Sequence, residues 1–416
     1  MIYCQFRVLI FLLLISNTVV ALSQQTTLPG IDVLQAESFA SISGKKILLL
    51  SNSSGRNSKG QSTLEILSKS NRFEFLGVLA PEHGYYTAAP AGQSITEETI
   101  DGIKIYSIYG STKEPDKGLM RHADAIVVDI QDIGVRSYTY ISSLHRTMKA
   151  AAQSSKQVIV LDRPNPLGGL IVDGNVLEQG MESFVGVVQI PYIHGLTIGE
   201  LALMINEEGW LGIGTNNEAL KCDLQVVRMS GWQRWMAWED TGLMWFPTSP
   251  HVPTPDAVRG LACLGIYGEI GLMSIGIGST SPFQYFGSPS FNPKAVLKLL
   301  EKENLQGLHL SQSRFQPFYG MYSNKSIEAV LLRFAPNQDF RPYTWGLKLV
   351  LAVREVHPDL FKSETKRAGI DMFHKVTGTK DLYNALFNNL PDDVVLKIAN
   401  RGVEDFMLLR SKYFLY

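Results

Sequence analysis

The chain has 416 residues, 45% hydrophobic and 19% charged, an ordinary globular composition with enough length for two packed domains, which excludes a disordered protein. A formal net charge of −1 and a pI near 6.7 leave no whole-chain field that would draw it to nucleic acid or to an anionic membrane.

The opening MIYCQFRVLIFLLLISNTVVALSQQ places Arg7 before an apolar stretch at 8–15 and small residues at Ala21 and Ser23. That is the layout of a secretory signal peptide, with 1–22 removed from an exported, soluble chain. Ser16, Asn17 and Thr18 interrupt the apolar run before it reaches bilayer-spanning length, and Cys4 lies too early to be a lipid attachment site. The mature chain keeps Cys222 and Cys263, too few for a disulfide framework; the reading is two separate buried thiols, with a single bridge as the alternative.

Short runs rich in Val, Ile and Leu at 46–50, 75–79, 103–108, 125–130 and 158–161 predict buried strands, and the spacing at 63–68, 119–121 and 140–152 predicts helices between them. The alternation predicts an α/β fold, a doubly wound and mainly parallel sheet covered on both faces. In such sheets ligands bind beyond the carboxyl ends of the strands. Here four strands run into polar turns: Ser51-Asn52-Ser53-Ser54-Gly55, Pro81-Glu82-His83-Gly84, Gln131-Asp132-Ile133-Gly134-Val135-Arg136 and Asp162-Arg163-Pro164-Asn165-Pro166. These turns are expected to share one rim.

Further on, WFPTSPHVPTP packs four prolines into 245–255, too irregular for a helix or a central strand, and glycine is dense over 265–287. This stretch is expected to be an active-site or hinge loop leading to a smaller mixed C-terminal domain, with boundaries at 23–250 and 251–416. The tail over 343–416 reads as mostly helical.

Glu82 stands on a turn after a buried strand, where partial desolvation would suit a general acid for glycosidic cleavage; capping a helix or pairing with an arginine is the competing role. A second carboxylate would come from Asp129, Asp132, Asp162 or Glu200. Arg136 and Arg163 fit either bidentate ligand binding or a buried ion pair. Thr197 and Glu200 match a capping box, which gives Glu200 a structural role and leaves His194 as the site residue of that segment. His83, His194 and His251 lack the close spacing of a zinc site, and no nucleophile elbow, P-loop or dinucleotide fingerprint is present. Trp232, Trp235, Trp238 and Trp245 crowd one region, as sugar-stacking faces or as packing aromatics.

In order along the chain, LAPEHG at 79–84, VDIQDIGVRSYTYI at 128–141, LDRPNPLGG at 161–169 and IHGLTIGELA at 193–202 resemble the exo-β-N-acetylmuramidase family of bacterial glycoside hydrolases, from about residue 44 to the C-terminus. The resemblance implies a Rossmann-like N-terminal domain and a smaller C-terminal domain closing a cleft. It also implies release of N-acetylmuramic acid from non-reducing ends of peptidoglycan fragments, with no cofactor. Carried onto this chain, Glu82 resembles the catalytic glutamate. The expected catalytic set is Glu82, His83, Asp129 and Asp162, with Asn52, Gln131, Arg136, Tyr138, Arg163, Asn165, His194 and His251 around the substrate. The chain departs from the family pattern where Leu272, Ile277 and Ser279 stand in place of an Asn, an Arg and a Thr, and where His251 stands in place of an Asn. Losing an arginine at Ile277 removes a partner for the carboxylate of muramic acid.

Overall fold

The computed structural model describes residues 26–110, 113–335, 339–362 and 368–416; the expected signal peptide and Cys4 lie outside them. Strands β1 (Lys46–Ser51), β2 (Glu74–Ala80), β3 (Glu98–Ile100), β4 (Ile103–Ser107), β5 (Ala125–Asp129) and β6 (Gln157–Leu161) come first. An antiparallel pair, β7 (Asp173–Val176) and β8 (Pro191–Ile193), precedes β9 (Asp223–Val227). The C-terminal part adds β10 (Tyr285–Ser288), β11 (Leu308–Phe315) and β12 (Ile327–Phe334).

The central sheet runs β3-β4-β2-β1-β5-β6-β9, parallel throughout except for the edge pair β3–β4. From β1 the chain moves out to β2 and β4 on one side and then returns to β5 and β6 on the other. The order therefore reverses beside β1, and the loops leaving these strands diverge into a crevice. The five predicted strands and the doubly wound arrangement are present; the edge strands β3 and β9, short and largely exposed, had no buried apolar run to reveal them.

Strand alternation divides the core. Ile47, Leu49, Val127, Ile159 and Leu161 face the helices Gly30–Ala36 and Thr63–Ser68, whereas Leu48, Leu50, Ile126, Val128, Val158 and Val160 face Tyr140–Gln153 and Ile198–Glu207. The second face continues without a break into the C-terminal part, through Tyr192, Ala257, Tyr267, Tyr343 and Phe373. The smaller C-terminal part consists of the antiparallel sheet β10-β12-β11 and helices including Pro255–Glu269 and Pro342–Val356. A Cβ built on Gly346 would fall 1.9 Å from the carbonyl oxygen of Cys263, so these two helices meet at a distance only glycine permits. The last proline of the 245–255 stretch, Pro255, opens its helix at the first helical position behind the cap Thr254. Cys222 and Cys263 are buried and unbridged. No helix among the described residues is long and apolar enough to cross a membrane.

Candidate active site

A cavity of about 700 Å³, within the ordinary size of small-molecule sites, lies where the strand-end loops meet the C-terminal part. Of the expected site residues, Glu82, His83, Tyr138 and His251 line it. Glu82 follows β2 and is 95% buried, its Oε1 accepting the Gly92 N–H at 2.8 Å. Tyr109 is hydrogen-bonded to the same carboxylate, and burial together with that contact pushes the phenol pKa up, so Tyr109 holds its proton and acts as donor.

His83 adopts a left-handed backbone (φ 72°), unusual for a side chain of its size. Its Nδ1 lies 2.8 Å from the Ala89 carbonyl. A carbonyl only accepts, so Nδ1 carries a hydrogen in this contact. His251 comes from the proline-rich loop and lies over Tyr319, with Nε2 3.1 Å from the tyrosine hydroxyl. Burial, and then the nearby His83, depress the His251 pKa. That loop is fastened to the N-terminal part: the Tyr138 hydroxyl meets Thr248 Oγ1 at 2.7 Å, and Tyr140 donates to the Thr248 carbonyl.

The remaining expected residues form a buried layer beneath the cavity and are absent from its lining. Asn52 donates to the Tyr140 hydroxyl at 2.7 Å. Arg163 bonds Asp129 through Nη1 at 2.8 Å and Gln131 Oε1 through Nε at 3.0 Å, while Thr63 donates to Asp129. Gln131 Nε2 in turn donates to the Pro164 carbonyl at 2.8 Å, tying two strand-end turns together. Asn165 bridges Leu196 O and Leu167 N, and a Cβ on Gly134 would strike its Oδ1 at 2.3 Å. His194 accepts the Leu196 N–H on Nδ1 and turns Nε2 towards Asp132 Oδ2, 3.6 Å away.

Arg136 is buried, and its guanidinium is taken up by main-chain carbonyls. Nη1 donates to Asn175 and Ile190, and Nη2 to Val376 and Thr377. Glu200 has the expected capping box with Thr197 and also accepts from Arg234. Of the crowded tryptophans, Trp232 stands edge-on to Tyr416 and Trp238 edge-on to Trp245; none lines the cavity. No group of three or more metal-ligating side chains comes together among the described residues.

Strand parity explains why the two aspartates sit outside the cavity. Asp129 shares the face of Val127 and meets Thr63 at the start of one covering helix; Asp162 shares the face of Val160 and meets the start of another. A helix N-terminus stabilises a carboxylate there. Asp162 accepts from Arg163 N (2.9 Å), Gly199 N (2.7 Å), Thr197 Oγ1 (2.7 Å) and the Tyr416 hydroxyl (2.8 Å).

Burial lifts the Asp162 pKa to about 6, while Thr197, Gly199 and then Tyr416 restrain the rise. Because this value lies above the unfolded one, the folded protein takes up a proton between roughly pH 4 and 6. The group's contribution to stability is fullest below that window and falls as pH rises through it. Tyr416→Phe removes one donor and should cost about 1–3 kcal/mol at neutral pH and less near pH 5, read by urea unfolding at both. A deficit independent of pH would mean that the hydroxyl matters only as acceptor of the Met229 N–H, which it meets at 2.7 Å.

Residues absent from the sequence expectations complete the cavity: Gly92, Tyr109, Lys113, the 183–185 turn, Glu269 and Lys375. Leu261, Gly265, Gly268 and Glu269 share one face of the Pro255–Glu269 helix, at a spacing that would have grouped them had that helix been assigned. The enclosing cleft walls raise the Glu269 pKa by desolvation, although its side chain still reaches solvent.

Comparison with known proteins places this geometry among relatives. The family described as Exo-beta-N-acetylmuramidase NamZ matches with its N-terminal model over residues 47–256 and with its C-terminal model over 263–416. The chain is 31% identical over 391 residues to the peptidoglycan beta-N-acetylmuramidase NamZ of Bacillus subtilis, covering 93% of this chain and 91% of that protein. Two crystal structures of DUF1343 family proteins from Bacteroides fragilis are similar. One is 35% identical with a TM-score of 0.86 and the other 27% identical with a TM-score of 0.72, each match covering 94% of this chain and 99% of the other.

Proposed function

Because the chain belongs to the NamZ exo-beta-N-acetylmuramidase family over both of its parts, and is thereby a glycoside hydrolase, we propose that it releases N-acetylmuramic acid from the non-reducing ends of peptidoglycan fragments, with Glu82 as the general acid. The observation that carries the assignment of the acid is the seat of Glu82 in the cavity, its Oε1 fixed by Gly92 and its carboxylate by Tyr109. In this reading Glu82 gives its proton to the glycosidic oxygen as the bond to the anomeric carbon breaks, the aglycone leaves as the alcohol, and water forms the new bond at that carbon and gives up a proton that restores the acid. Gly92 and Tyr109 orient the carboxyl before the proton moves and hold the carboxylate afterwards. His83 and Tyr138 contact the sugar. Glu269, reaching the same cavity from the C-terminal part, is the carboxylate that a two-carboxylate reaction would use; Asp129 and Asp162 support the loops from below. Export rests on residues 1–22 alone.

Turnover of a chromogenic β-N-acetylmuramic acid glycoside beside the matching N-acetylglucosamine glycoside tests this directly. Cleavage of the muramic acid substrate by at least about tenfold over the other is expected, since one charged hydrogen bond carries that discrimination. A second reading, an amino-sugar-binding paralogue without turnover, draws on Leu272 and Ile277, the first buried and the second lining the cavity where polar family residues would stand. Silence on both substrates with saturable binding of muropeptides would select it.

A further inference from the structure

The connection between β11 and β12 brings exposed aromatic rings to the edge of the cavity. Phe318 is 74% and Tyr319 53% exposed, and Met321, two residues on, lines the cavity. The backbone beneath these side chains is pinned. The Phe318 N–H donates to the Gly278 carbonyl at 2.7 Å, the Asn324 N–H to the Pro317 carbonyl at 2.9 Å, and Ser323 Oγ to the Phe318 carbonyl at 2.9 Å. A Cβ on Gly278 would fall 2.1 Å from the Tyr319 carbonyl oxygen, so the connection rests on the glycine-rich loop at a distance only glycine permits. Tyr319 is also held at its tip: its hydroxyl lies 3.1 Å from His251 Nε2, and the two rings are 25° from parallel with centres 6.0 Å apart. His251 lines the cavity near His83, the residue that follows Glu82. The open ring of Tyr319 therefore begins where the cavity ends, on the side of the acid.

We infer that Tyr319 is the platform on which the sugar ring of the leaving group stacks. This rests on the reading of the cavity as the site of an exo-acting glycosidase and adds where the departing part of the substrate lies. The oxygen that Glu82 protonates joins the sugar in the cavity to the next ring, so that ring must lie within one sugar's length of the carboxyl. His251 and Tyr319 occupy that edge. A pyranose turns an apolar C–H face outward, and an aromatic ring covers such a face while leaving the hydroxyls at its rim in water. A phenol already held by an imidazole and by its own backbone has little freedom left to lose when the sugar arrives. A stem peptide branches from the lactyl group of the sugar in the cavity and not from the glycosidic oxygen, so nothing requires it to pass beside the acid.

Steady-state kinetics of the full chain, as wild type, Tyr319→Ala and Tyr319→Phe, test this on three substrates. One is the β-fluoride of N-acetylmuramic acid, which has no leaving ring. The second is N-acetylmuramic acid joined β-1,4 to N-acetylglucosamine, and the third is the same disaccharide with a dipeptide on its lactyl group. Tyr319→Ala should lower kcat/KM on both disaccharides by about tenfold, the worth of one well-packed aromatic face. The loss should be confined to them, and turnover of the fluoride also shows that the variant is folded. Tyr319→Phe keeps the ring and should keep most of the disaccharide rate. An equal loss on fluoride and disaccharides would mean that the connection only props the cavity. A loss confined to the dipeptide-bearing substrate would put the stem peptide on this ring, and a Tyr319→Phe enzyme as impaired as Tyr319→Ala would make the hydroxyl the operative group. Each of these results, like an unchanged disaccharide rate, overturns the platform and leaves the amino-sugar site standing. A wild type that turns over none of the three removes that reading and the platform with it.

Discussion

Replacing Glu82 by glutamine is expected to lower kcat by about 10²–10⁴-fold, the usual worth of a positioned general acid, with little change in thermal stability. The amide oxygen can still accept from Gly92, so the loop over 82–92 keeps its shape; what disappears is the proton. Substrate binding should survive, so the loss should fall on kcat rather than on KM. Glu269→Gln provides the informative contrast: if it serves opposite Glu82, kcat falls in that variant too, in a protein equally well folded. Asp129→Asn and Asp162→Asn should instead show themselves first as lower unfolding midpoints, because each carboxylate accepts hydrogen bonds at the start of a covering helix. An active, folded Glu82→Gln enzyme would end the assignment of Glu82 as the acid.

The second large effect is structural. Arg136→Met should destabilise the protein by about 3–4 kcal/mol, roughly 4–5 °C in midpoint for a chain of this length. The guanidinium joins the carbonyls of Asn175 and Ile190 in the N-terminal part to those of Val376 and Thr377 in the C-terminal part. Methionine fills part of the space but leaves these acceptors facing an apolar chain. Burial has already lowered the arginine pKa to about 10, and the charge is held by main-chain carbonyls and by the face of Tyr192, whose ring centre lies 5.7 Å away. Since Lys375 and Val376 also line the cavity, catalysis should weaken along with stability. Urea unfolding beside steady-state kinetics checks both; a variant of unchanged stability that loses only substrate affinity would return Arg136 to the role of ligand.

The strand-end turns were legible because runs of apolar, often β-branched residues stopping at Glu82, Gln131 and Asp162 leave few alternatives to a parallel sheet. Within those turns, residue type revealed that polar groups gather but not which way each points. Arg136 and Arg163 carry the same charge and looked equally suited to a ligand, yet one is taken up by four carbonyls and the other by Asp129, Gln131 and the Arg56 carbonyl. The parity that sends Asp129 and Asp162 to opposite faces was present in the sequence and could have been counted. Glu269 and Lys375 could not be reached that way. They sit on helices of the C-terminal part, and their place in the cavity depends on how that part docks, through contacts separated by more than a hundred residues such as those of Arg136 with Val376.

The bond between Tyr416 and Asp162 has a consequence for the order of folding. The carboxylate at the end of β6 receives its fourth donor from Tyr416, 254 residues further on, and Arg410 reaches back to the carbonyls of Gly169, His194 and Gly195. The buried acid in the N-terminal part is therefore incompletely satisfied until Tyr416 has folded back onto it, and the N-terminal part cannot reach its finished state on its own.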